Sequence, residues 1–214
     1  MTDRYPAYDV LAKRWTESWN EATRQAIDRR LTVGREPRFF CAAEWRTLGA
    51  LCERILPQPK SRAPVPLPAY VDQKISEGRL DGYRYAQMPP PGDAWKRGLA
   101  ALERASEEAH GAAFHTLSGE QQDDLLHRMQ HGDLTGEAWG DMPCKLFFEH
   151  RVIADITHAY YGHPTAWNEI GFGGPASPRG YVRMGLDRRD PWEAAEASSE
   201  EEQVRARRKN SHVV

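Results

Sequence analysis

The chain has 214 residues, of which 40% are apolar and 28% charged, with a formal net charge of −2. That length allows one domain with a sizeable core, or two small ones. The near-balanced charge leaves no electrostatic footprint for nucleic acid or an acidic membrane surface, and no run approaches the ~20 apolar residues that cross a bilayer.

The first residues, "MTDRYPAYDVLAKRW", have no apolar segment behind a basic start and do not form a secretory signal. Arginine pairs at 29–30, 188–189 and 207–208 also lack a following apolar stretch, which argues against twin-arginine export. The expected location is therefore the cytoplasm, or the periplasm or membrane by way of a partner. Residues 1–34 read as an N-terminal arm with a short helix, in which Ala22, Ala26, Ile27 and Leu31 share helical spacing and Asn20 is the cap.

"FFCAAEWRTLGALCERILPQP" predicts a strong helix. Trp45, Leu48, Leu51, Cys52 and Ile55 form one stripe, and Pro57 ends it. Glu44 stands where a capping box puts its acid, with Cys41 in place of the usual Ser or Thr. An extended Pro-rich spacer follows, then a short helix over 68–78. Asp93 is expected to cap a helix that reaches His110, with Trp95, Leu99, Leu102, Ala105 and Ala109 on its buried side.

Ser118 and Gln121 stand in capping-box relation before Leu125, Leu126 and Met129, and Gly132 closes that helix. "MPCKLFFEHRVIADITHAYYGHP" predicts the longest and most central helix. After it, "HAYYGHPTAWNEIGFGGPASPRGYVRM" is so rich in Gly and Pro that no regular helix is expected there, yet it is too aromatic for a linker. Residues 191–214 form a charged tail, either a solvated helix or disordered. The sum is a mainly α, single-domain fold of five or six helices with long Gly/Pro/aromatic-rich loops, its body spanning 35–190.

Chemical motifs are sparse. Gly171, Gly173 and Gly174 lack the strand–turn–helix context and the spacing of a nucleotide loop, so they are expected to turn a backbone tightly against a neighbour. Three cysteines without a C-x-x-C exclude a disulfide framework or a zinc knuckle. Asp123, His127 and His131 share a helical face and could form a metal-binding module. Glu149, His150, Asp155 and His158 on the long helix could serve a stand-alone enzyme, or else form a polar network in which Asp155 pairs with Arg151 or His158. No nucleophile with a base and no oxyanion arrangement is legible, so no catalytic residue is assigned.

"FFCAAEWRTLGALCERILPQP", followed by "FFEHRVIADITHAYYGHPTAWNEIGFGGPASPRGYVRM", resembles the gluconate 2-dehydrogenase subunit 3 family. The resemblance rests on Phe40, Glu44, Leu48, Leu51, Ile55 and Pro57, and then on Tyr160, Tyr161, Trp167, Ile170, Gly171, Gly173, Pro175 and Arg179-Gly180-Tyr181. It runs over roughly residues 35–190, with the aromatic–glycine stretch as its specific part.

The resemblance implies a small, non-catalytic, gamma-type subunit of a membrane-associated oxidoreductase complex. The implied partner is a flavin-dependent sugar or polyol dehydrogenase of the glucose–methanol–choline (GMC) class, often joined by a multihaem cytochrome c. FAD and haem c would sit on the partner subunits, with no cofactor or metal on this one, which would support folding, stability or export of the flavoprotein. Many members carry a twin-arginine signal, and this chain departs from that pattern. The expected partner-binding residues are Trp167, Phe172 and Tyr181 for apolar area, and Arg179 and Arg183 for bidentate contacts to acids.

Overall fold

A computed structural model describes residues 3–79, 81–82, 85–180, 190 and 192–212. The protein is mainly α, as its periodicity predicts, and among the described residues there are nine α-helical segments and no strand. In chain order these are α1 (Glu21–Leu31), α2 (Ala42–Ile55), α3 (Leu67–Ser76), α4 (Pro91–His110) and α5 (Gly119–His131). Then come α6 (Cys144–Phe147), α7 (Ala154–Tyr161), α8 (Pro164–Ile170) and α9 (Glu200–Asn210). The backbone groups into two compact units: Val33–Tyr160, continuous in sequence, and a second that joins Met1–Thr32 to Tyr161–Val214.

In the continuous unit, α2 buries Leu48, Leu51 and Cys52 of the expected stripe together with Thr47, while Trp45 and Ile55 at its two ends are half-buried. The Glu44 carboxylate accepts the Cys41 N–H at 2.8 Å, so the acid half of the capping box works without a Ser or Thr. The segment before α2 is tied to α3 by Asp72, a buried carboxylate that accepts the N–H groups of Arg38, Phe39 and Phe40 at 2.8, 2.9 and 3.1 Å. Those donors have no helical partner of their own, so the carboxylate removes a desolvation penalty.

Helix α4 begins at Pro91 rather than at the expected Asp93 cap. Proline at the first helical position loses no hydrogen bond and is already at a helical φ, while Asp93 falls inside the first turn, where the macrodipole favours it. Trp95, Leu99 and Leu102 are buried as expected, but Ala109 in the last turn is exposed. A Cβ on Gly98 would lie 2.2 Å from the Phe147 ring, so the bare glycine lets that ring sit against the α4 backbone. Trp95, Phe147 and Trp139 meet edge-on or tilted at centroid distances of 5.4 and 5.9 Å and form the aromatic centre of the unit.

Helix α5 starts with the predicted capping box: Gln121 N–H donates to Ser118 Oγ at 3.3 Å, and Ser118 N–H to Gln121 Oε1 at 3.0 Å. The predicted long helix is real but not uniform. A π-helical turn, Phe148–Ile153, sits between α6 and α7 with helical backbone at both joints. Hydrophobic spacing alone did not reveal it, because Phe147, Phe148, Val152 and Ile156 are all buried around it.

The second unit is stitched from both ends of the chain. Val10 N–H donates to Asn168 Oδ1 (2.8 Å), Trp19 Nε1 to the Pro175 carbonyl (2.8 Å) and Asn20 N–H to the Ser177 carbonyl (2.6 Å). Asn210 Nδ2 donates to the Pro6 carbonyl at 3.0 Å, bringing the charged tail in as well. Tyr5, Tyr8, Val10, Trp19, Ile27, Trp167 and Ala194 form its core. Asn20 caps α1 as predicted, accepting the Thr23 N–H at 2.9 Å. Within the tail Glu200–Asn210 is helical: Ser199 caps α9, whose first turn is acidic and whose last turn is basic, matching the helix dipole.

Candidate functional site

The Gly/Pro/aromatic stretch was expected to exclude a regular helix, and here the structure corrects the expectation. Pro164 opens α8 and Gly171, at φ +67°, closes it, so the two residues read as breakers bracket seven helical residues instead. A Cβ on Gly171 would meet the Tyr5 ring at 2.4 Å, and one on Gly174 would meet Val10 at 2.9 Å. The close approach that these glycines permit is thus to the chain's own N-terminal arm.

Trp167 lies in the core of this unit, with 3% of its surface exposed. Its Nε1 donates to the Tyr161 carbonyl at 2.7 Å, the Arg30 guanidinium lies 5.4 Å from its ring centre, and Phe172 meets it edge-on at 5.6 Å. Phe172 remains 43% exposed, as do Tyr161 (50%) and Ile170 (48%). Three large apolar side chains therefore surface within twelve residues around a fixed tryptophan. Arg179 lies over the Trp192 ring at 4.4 Å. Tyr181 and Arg183 fall outside the described residues.

The sequence reading missed two features of this unit. Lys13 is almost fully buried and donates through Nζ to the Gly173 carbonyl at 3.0 Å. Burial pushes its pKa down to about 8; the nearby Arg179 charge adds to this and Glu193 opposes it. Trp15, by contrast, is 77% exposed, with the Arg14 and Arg24 guanidiniums 5.4 and 5.2 Å from its ring.

In the continuous unit the titratable groups of the long helix do form a network. Asp155, buried, accepts from Trp95 Nε1 and from Lys74 Nζ, both at 2.8 Å, with Arg151 Nη1 at 3.5 Å. Asp81 binds the same two cations, Lys74 at 2.5 Å and Arg151 at 2.6 Å. Burial acts to raise the Asp81 pKa, but the hydrogen bonds from Lys74 and Arg151 outweigh it and hold the carboxyl below its usual range. The Asp155–Arg151 pairing is as expected from i, i+4 spacing, whereas Lys74 and Trp95 come from helices that no local pattern links to Asp155.

Asp123, His127 and His131 do not converge. Arg54 grips Asp123 through both carboxylate oxygens and lowers its pKa, and His131 Nδ1 lies 2.7 Å from the His127 carbonyl. No group of three or more potential ligands able to hold a metal occurs among the described residues. Cys52 and Cys144 are buried, and burial pushes both thiol pKa values up, so they act as small apolar side chains; Cys41 is exposed.

No curated protein and no solved structure matches the chain. Residues 42–174 match the family model described as gluconate 2-dehydrogenase subunit 3. That span takes in the capped helix α2, the Asp155 network and the turn at Gly171–Gly174, and it exceeds half of the 214 residues. The chain therefore belongs to the gluconate 2-dehydrogenase subunit 3 family, which makes it by kind an accessory subunit of a dehydrogenase complex.

Proposed function

We propose that the protein is the non-catalytic small subunit of a GMC-type flavin-dependent sugar or polyol dehydrogenase, and that it supports the folding, stability or export of the flavoprotein. Family membership supports the accessory role. The observation that carries the docking site is the exposure of Tyr161, Ile170 and Phe172 around the buried Trp167. Large side chains on a rigid base lose little freedom on binding, and aromatic anchors dominate interface energetics. Trp167 acts from beneath, holding Phe172 and the α8 turn in place, while Arg179 adds a donor at the same loop.

In this reading FAD, and haem c where a cytochrome takes part, belong to the partner subunits. Among the described residues no helix is long and apolar enough to cross a membrane. The test is co-purification of the full chain with a GMC-type flavoprotein from the same cells. Phe172→Ala combined with Ile170→Asp is expected to weaken the complex at least tenfold, about 1.4 kcal/mol, while the helical circular dichroism stays unchanged. A complex of undiminished affinity would sink the assignment.

A further inference from the structure

The continuous unit contains a cavity of about 270 Å³ that the docking surface does not use. Its walls include Tyr85, Met88, Pro89, Ala154, His150 and His158. The π turn shapes it. In a regular helix the eight residues from His150 to His158 make about 2.2 turns. The wider i→i+5 turn over Phe148–Ile153 brings that closer to two, so both imidazoles face one hollow. His150 also stacks on Tyr85, with ring centres 4.0 Å apart and planes 22° from parallel, which makes one wall a flat aromatic surface.

The charges around this cavity are already matched. Asp81 and Arg151, which touch it, are bound to each other, and Lys74 and Asp155 complete two cations against two carboxylates. An ionic ligand would therefore find no net field. Among the described residues neither the His150 nor the His158 imidazole has a hydrogen-bond partner, and the buried Arg151 Nη1, 3.5 Å from Asp155, lacks one as well. A neutral imidazole offers one donor and one acceptor, which suits a hydroxyl group that both donates and accepts. The volume lies below the ~300–1,000 Å³ of pockets for drug-sized ligands and above the ~150 Å³ that holds one benzene ring, so a single substituted ring fits with room for water.

We propose that this cavity binds one neutral aromatic ring bearing a hydroxyl group, a phenol, stacked against the Tyr85–His150 wall with its hydroxyl on the His158 imidazole. The ring is either a free small molecule or a tyrosine side chain of a partner protein. This proposal stands on the continuous unit alone and survives or fails independently of the docking surface.

The probe is p-cresol, titrated into the full chain and followed by NMR. Saturable binding is expected, weakened at least tenfold by Tyr85→Ala and by His158→Ala, and unchanged by Trp15→Ala. Benzoate and benzylamine, equal in ring size but charged, are expected to bind at least tenfold more weakly. Absence of saturation, indifference to both cavity variants, or equal binding of the charged rings overturns the proposal. With p-cresol bound, displacement by a short tyrosine-containing peptide assigns the site to a partner's side chain, and failure to displace assigns it to a free phenol.

Discussion

The two units solve the same problem, burying an apolar face, by different means. The continuous unit is assembled from helices with their own start signals, stripes and stops, and one internal charge network ties four of its segments together. The other unit has little helical stripe to bury: α1 buries only Ile27 and α8 has seven residues. It is held by side chain-to-backbone bonds across more than 150 residues of sequence, such as Val10 to Asn168 and Trp19 to Pro175. Local patterning thus builds a unit that is legible in advance, while cross-chain stitching builds one whose parts mean little until they meet.

The sharpest way to break this contrast is at Asp155. Asp155→Ala leaves the Trp95 indole N–H without its acceptor and Lys74 and Arg151 with Asp81 as their one remaining carboxylate, and removal of one partner from a buried ionic network typically costs about 3–5 kcal/mol. Urea unfolding is expected to show a loss of this size, and hydrogen exchange should quicken first in α4 and α7. If the loss stays below 1 kcal/mol, the network is not what unites the unit.

The next effect belongs to the stitched unit and depends on pH. Lys13 has a folded pKa lowered from 10.5 to about 8. Between those values the unfolded chain keeps a proton that the folded one has released, so stability rises with pH across that window and is flat in this term on either side. The rise amounts to roughly 3 kcal/mol from the shift alone. Unfolding midpoints of the wild type compared with Lys13→Met between pH 7 and 10.5 should show the slope in the former and its loss in the latter. Parallel profiles would mean that the amine is solvated.

The smallest effect compares two caps. Ser118→Ala should cost about 1 kcal/mol, the usual loss for a helix cap. Asn20→Ala should cost more, because Asn20 caps α1 and also reaches Ser177 through its side chain at 3.2 Å. Equal losses would show that the long-range stitch adds nothing to stability.

How much of this was readable follows the same divide. Caps at Asn20 and Ser118, the stripe of α2 and the stop at Gly132 were legible because each depends on residues within one or two turns. The π turn was not, since side chains bury on all sides of that helix and no periodicity reports one extra residue. Helix α8 was misread because Gly and Pro were counted as breakers without asking which end of a helix each occupied. The candidate docking surface was half legible: the stretch was singled out, but its most eye-catching residue, Trp167, turned inward and left Phe172, Ile170 and Tyr161 outside.

What the sequence determined by itself is a mainly α protein of this family, because helix signals act over a few residues and the aromatic–glycine stretch is distinctive as text. Only the tertiary structure decided that Gly171 and Gly174 make room for the protein's own Tyr5 and Val10, that Lys74 and Trp95 share Asp155, and that His150 and His158 face one cavity. Each of these is a meeting of residues distant in sequence or a shift in helical register, and such meetings are set by packing, which no local pattern encodes.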